Sequence, residues 1–157
     1  MRRGRPAKTV PIVSDEAVKA VKEMAKSYKK SKAVCAYIPM KRKTLFRIMA
    51  VSTENYETTG CIDYRRDTAE RIHPDDKKVI TNYEERMRGI WLLEHGVAAI
   101  PDERTRAIAE DTLMEGCTAK SLVGKYGISV QAVRARKREG IKWIADFIES
   151  FRANKVF

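Results

Sequence analysis

Three groups of side chains are spaced to bond an extended, acceptor-rich surface. Arg42, Lys43 and Arg47 fall close together with Thr44 among them; Gln131, Arg134 and Arg138 recur at three and four; Arg3 and Arg5 flank Gly4. A guanidinium fork bonds two acceptors at once, a geometry offered by phosphate oxygens and by the O6/N7 edge of guanine. Lysine supplies a mobile point charge, and a glutamine carboxamide matches the N6/N7 edge of adenine. Nothing comparable supports covalent or metal chemistry. There is no phosphate-cradling glycine loop and no Ser/His/Asp arrangement with recognisable context. His73 and His95 have no second ligand at metal spacing, and Cys35, Cys61 and Cys117 are too far apart for a zinc knuckle or a disulfide framework. The acidic pairs Asp75-Asp76 and Glu84-Glu85 read as helix-start and surface charges. Neither an enzyme nor a bound cofactor or metal is expected.

Charge is distributed unevenly. Residues 1–50 hold 14 Lys/Arg against 3 Asp/Glu, residues 51–101 hold 7 against 10, and residues 102–157 hold 11 against 8. Basic ends around an acidic middle favour a polyanion partner over uniform solubilising charge. With 157 residues and a hydrophobic fraction of 43% the chain can bury one core or two small ones. Met1-Arg2-Arg3 leads into polar residues without an export-type apolar run, and the most apolar window, 90–100, contains Glu94 and His95. A reducing, cytoplasmic setting with no membrane contact is the expectation.

The elements that must position the cationic groups read as follows. Residues 1–13 form an extended basic arm, because Gly4 and Pro6 resist helix; such a strip is narrow enough for an A·T-rich minor groove. Ser14-Asp15-Glu16 starts a helix, and Val18, Val21, Met24, Ala25 and Tyr28 give it one apolar face. Its lysines, Lys19, Lys22, Lys26, Lys29 and Lys30, form either a solvated face or a phosphate-contacting one. Ser31 is expected to cap a second short helix ending near Tyr37. Ile38-Pro39-Met40 makes a turn, and a third helix over 41–51 places Leu45 inward and Lys43 and Arg47 outward. Residues 14–51 are thus predicted to be a helix-turn-helix.

Residues 52–74 read as a linker. Asp75-Asp76 opens a helix to His95, with Gly96 as its C′ residue; Val79, Ile80, Tyr83, Met87, Ile90 and Trp91 line one stripe. That stripe is either core or, through Trp91, a homodimer interface. Pro101 is predicted to begin the next helix, with Asp102 and Glu103 in its first turn. Ile108, Ala109, Thr112 and Leu113 share a face, and Gly116 ends the helix. Thr118 caps a short helix with Leu122, Val123 and Tyr126 inward, Gly127 turns the chain, and Ser129 caps a long last helix. Val133, Ile141, Ile144 and Ile148 face its core; Gln131, Arg134, Ala135, Arg138 and Lys142 face out. This second helix-turn-helix spans 102–150 of a C-terminal helical domain over 75–157. Gly124 and Gly140 are its expected weak points.

Two stretches resemble known families. Gly4-Arg5-Pro6 followed by Thr44-Leu45-Phe46-Arg47 resembles the DNA-binding domain of serine-family invertases and resolvases, which implies DNA binding and says nothing for strand exchange. Residues 100–104, 115–118 and 126–129 with Val133 resemble the fourth region of bacterial sigma factors and the LuxR-type domain, a pattern shared by small phage regulators. That resemblance implies a last helix that reads DNA in the major groove.

The sequence therefore predicts a mainly α protein with two helix-turn-helix units, binding double-stranded DNA sequence-specifically as a transcription regulator of a phage or mobile element. Base edges fall to Arg42, Lys43, Arg47, Gln131, Arg134 and Arg138, and the minor groove to Arg3 and Arg5. Phosphates fall to the lysines, the arginines and the helix starts near Ser31, Thr118 and Ser129. The competing expectation is an adaptor, docking on RNA polymerase or serving DNA packaging, in which only the N-terminal unit grips DNA.

Overall fold

Ser14 begins the first helix as its side chain allows: its Oγ accepts from the Ala17 amide at 3.2 Å, and its carbonyl accepts from the Val18 amide. The computed structural model describes residues 9–36 and 74–153, and every regular element among them is helical. Helix α1 runs Asp15–Ala36. Val21 and Tyr28, seven residues apart, are buried on one side, while Lys19, Lys22, Lys26, Lys29 and Lys30 are exposed on the other.

The break expected before Ser31 is absent. Residues 27–36 contain neither glycine nor proline, so nothing in the backbone ends the helix there. Ser31 sits in its interior, 7% exposed, and its hydroxyl accepts a hydrogen bond from Arg86 Nη1 at 3.1 Å. It caps nothing and offers no helix start to a phosphate. The two short helices expected over 14–37 are one long helix. The expected turn at 38–40 and the helix over 41–51 with Arg42, Lys43, Thr44 and Arg47 lie outside the described residues, as do Arg3, Arg5 and the linker 52–73.

Helix α2 runs Pro74–Ala98. It passes through Gly96 instead of stopping at it, and closes with the Ala99 amide on the His95 carbonyl and the Ile100 amide on that of Val97. Gly96 is needed for space: a Cβ there would lie 2.8 Å from Ile144 Cγ2. Ile90, Trp91, Leu92, Leu93 and Val97 are all buried. Trp91 is only 5% exposed within the single chain.

Contacts divide the chain into two compact units. One unit takes α1 up to Lys26 and the chain from Leu93 onward; the other spans Ser27–Leu92. In the first unit Val21 and Met24 of α1 line a small cavity with Ala145 and Ile148.

The rest of that unit is three helices. Helix α3, Glu103–Ala109, continues into a π-helical turn at Glu110–Met114; α4 spans Ala119–Tyr126, and α5 spans Val130–Ala153. Asp102 is the N-cap of α3 and lies outside its first turn, displacing Pro101 from the expected first helical position. In the π turn the Glu115 amide reaches the Glu110 carbonyl, and the Thr112 hydroxyl bonds back to the Ile108 carbonyl at 2.8 Å. Gly116, at φ 74°, then lets the Cys117 amide close on the Asp111 carbonyl at 2.9 Å. Ile108, Leu122 and Val133, one from each helix, meet in a buried cluster flanked by Cys117, Ala119, Tyr126 and Ile128. Burying each of these three aliphatic side chains is worth about 1.5–3 kcal/mol.

The two glycines expected to weaken this unit differ. Gly140 is buried where α5 crosses α3, and its Cβ would stand 3.0 Å from that of Ala109; it permits a close crossing. Gly124 is exposed, and a Cβ there would meet nothing within 4 Å. Gly124→Ala should therefore raise stability by about 1 kcal/mol through helix propensity. Gly96→Ala should lower it, since pressing on the stiff, buried Ile144 costs about 1–3 kcal/mol and the propensity gain is smaller. Urea unfolding midpoints moving in opposite directions would confirm the pair.

Candidate nucleic-acid interface

The turn between α4 and α5 fixes how α5 is presented. Gly127 ends α4 in the left-handed region at φ 64°, its amide bonded to the Val123 carbonyl at 2.9 Å. Two residues later Ser129 Oγ accepts from the Ala132 amide at 3.1 Å and starts α5. Thr118 starts α4 in the same way, accepting from the Ser121 amide at 3.2 Å. Thr118 and Ser129 are both exposed, each at the positive end of a helix dipole.

Val133 is fully buried, and this sets the opposite face of α5 in solvent. Gln131, Arg134, Arg138 and Lys142 are all exposed. At ~100° per residue they share an arc of roughly 80°, and at ~1.5 Å per residue they extend over about 16 Å. Between Val130 and Lys142 there are five cations and one acid, Glu139. Ala135, expected outward, is only half-exposed.

Two other cations of the unit are committed to structure. Arg136 Nη1 lies 3.1 Å from Asp102 Oδ2, donates to Thr105 Oγ1 at 3.1 Å, and has Glu139 at 4.0 Å. Asp102 also accepts from the Thr105 hydroxyl at 2.7 Å and its amide at 2.8 Å. The Thr105 hydroxyl bond, then the amide bond, hold the Asp102 carboxyl below the usual range; slight burial opposes them, and Arg136 and Arg104 assist. Arg136 is thus a strut from α5 to the start of α3.

On the other side, Lys125 Nζ lies 2.8 Å from Asp111 Oδ2, which the Tyr126 hydroxyl also reaches. Burial pushes the Asp111 carboxyl up, but the hydrogen bonds from Lys125 and Tyr126 outweigh it and the net shift is down. The bond to Asp111 raises the Lys125 ammonium, while burial and then the same carboxylate raise the Tyr126 phenol. These bonds clamp the π turn to α4.

Of the residues expected to contact DNA, Thr118, Ser129, Gln131, Arg134 and Arg138 therefore lie in one three-helix unit, the last three along a single exposed stripe. Sequence reasoning placed Asp102 in the first turn without its cap and strut, and missed Thr105, Arg136, Asp111 and Lys125. Asp102 and Thr105, three apart, carried a capping signal; the 14-residue separation of Asp111 and Lys125 carried none. Among the described residues no group of His, Cys, Asp and Glu is gathered to hold a metal, and no helix is long and apolar enough to cross a membrane. No protein-family model, curated protein or solved structure matches the chain.

A carboxyl whose pKa is lowered by folding stabilises the fold above the ordinary carboxylate range, and that contribution is lost as pH falls through it. Acidification from about pH 6 to about pH 3 should therefore destabilise the chain. Asp111→Asn should flatten part of that acid limb and cost about 1 kcal/mol at neutral pH, a figure reduced by the exposure of Lys125. Denaturant titrations across this pH range check both effects.

Proposed function

We propose that the chain binds double-stranded DNA with sequence preference, through α5 laid in the major groove. The observation that carries this reading is the stripe of Gln131, Arg134, Arg138 and Lys142, exposed on the third helix of a three-helix unit while neighbouring Arg136 and Lys125 are tied to carboxylates. A helix about 10–12 Å across fits a major groove about 12 Å wide, and recognition helices place their N-terminal residues on base edges. In that pose Arg134 and Arg138 bond guanine, Gln131 bonds adenine, and Lys142 reaches a phosphate. The helix starts at Thr118 and Ser129 receive phosphate oxygens on either flank.

The resemblance to sigma region 4 and LuxR-type units, and to phage regulators built on them, extends this to transcription regulation. Arg3 and Arg5 in a minor groove, with Arg42, Lys43, Thr44 and Arg47 as a second base-reading set, belong to the same proposal on sequence grounds. The adaptor alternative leaves α5 without a DNA role, which does not account for Arg134 and Arg138 standing clear of the acids that bind Arg136.

Arg138→Ala should cost about 1–3 kcal/mol on a duplex selected from random DNA and relax preference at one base position. Gel-shift titrations on selected and scrambled duplexes measure both. Equal affinity of the wild-type chain for the two duplexes would sink the reading.

A further inference from the structure

A second charged surface lies on α1. Between Lys19 and Lys32 this helix holds six lysines and one acid, Glu23. Lys19, Lys22, Lys26, Lys29 and Lys30 fall within an arc of roughly 100°, centred opposite the buried Val21 and Tyr28. All five are exposed, and none takes part in the ion pairs among the described residues. Lys32, off this arc, lies 5.4 Å from the Tyr28 ring centre.

Acids stand at helical spacing from Lys19 (Asp15, Glu16 and Glu23) and from Lys26 (Glu23), whereas Lys22, Lys29 and Lys30 have none. Here Lys22, Lys26 and Lys30 follow one another at i,i+4, with Lys19–Lys22 and Lys26–Lys29 at i,i+3. Like charges at these spacings repel and weaken the helix. By contrast, Arg136 on α5 has both Asp102 and Glu139 within reach. The row contains no arginine, glutamine or asparagine, the side chains suited to bidentate reading of bases. Five ammonium groups over about 16 Å of helix, with no base-reading partner, match a regular line of phosphates; duplex DNA offers one charge per about 1.7 Å of axis.

We infer that this face of α1 is a sequence-independent grip on the phosphate backbone of duplex DNA, separate from the base-reading stripe of α5. The inference rests on the DNA-binding reading above and adds to it a division of labour. The α1 lysines supply affinity and salt sensitivity, whereas the α5 stripe supplies preference.

The test uses the full chain and a duplex of mixed sequence, roughly 30 base pairs long, with anisotropy titrations at several salt concentrations. Each phosphate neutralised contributes about 0.9 to the slope of log K against log salt. The triple variant Lys19→Gln, Lys22→Gln, Lys26→Gln should lower that slope by about 2–3 and weaken mixed and selected duplexes by the same factor. The corresponding triple arginine variant should retain the slope. Cooperative thermal unfolding at or above the wild-type midpoint shows that each variant is folded, since removing like charges relieves repulsion along the helix. An unchanged slope in the folded glutamine variant, with wild-type preference intact, overturns the inference and leaves the α5 reading standing. An equal loss of slope in the arginine variant also overturns it, because charge would then not be the cause. Absence of any wild-type binding to duplex DNA at low salt removes both together.

Discussion

The presentation of α5 depends on one packing contact, Val133 against Ile108 and Leu122. One buried residue from each of three short-linked helices leaves little freedom in how the third is rotated. With Val133 fixed inward, the helical period alone places Gln131, Arg134 and Arg138 outward. The close crossing of α3 and α5 at Gly140 and the strut from Arg136 to Asp102 bear on the same rotation from different directions. A polar tie on the rim adds orientation to a core whose hydrophobic attraction is not directional.

The cations of this unit divide by whether an acid lies within reach. Arg136 and Lys125 are held by Asp102 and Asp111, so their charge is largely spent inside the chain. Arg134 and Arg138 stand exposed on the same helix as Arg136, a turn or less away. Net charge alone, only slightly positive over 102–157, hides this difference. What matters for a partner is the potential at one stripe, and that is set by which carboxylates the fold draws elsewhere.

Much of the C-terminal unit was legible because its signals are local. Thr118, Gly127 and Ser129 sit at the helix ends that their backbone and side-chain chemistry favours, and the spacing of Val133, Ile141, Ile144 and Ile148 marked the buried side of α5. The misreadings at Ser31, Gly96 and Gly140 share one cause. Ser31 and Gly96 look like boundary residues in isolation, yet each is held inside a helix by a distant partner, Arg86 for the one and Ile144 for the other. Gly140 likewise looks like a flaw until Ala109 is placed against it. A one-dimensional pattern is blind to a neighbour that lies dozens of positions away along the chain. A hydroxyl satisfied by such a neighbour reads as a cap, and a space-saving glycine reads as a stop.

The π turn at Glu110–Met114 carries one residue more per turn than the α-helix that leads into it would use. Excising one residue there would let an α ladder close and would leave the phase of Glu115 relative to Ile108 nearly unchanged, because the wider turn absorbs the extra residue. The Lys125–Tyr126 hold on Asp111 spans this very turn. The width of the turn and the clamp are therefore coupled: closing the turn as α would move Asp111 relative to Lys125 and Tyr126 and loosen their hold on it.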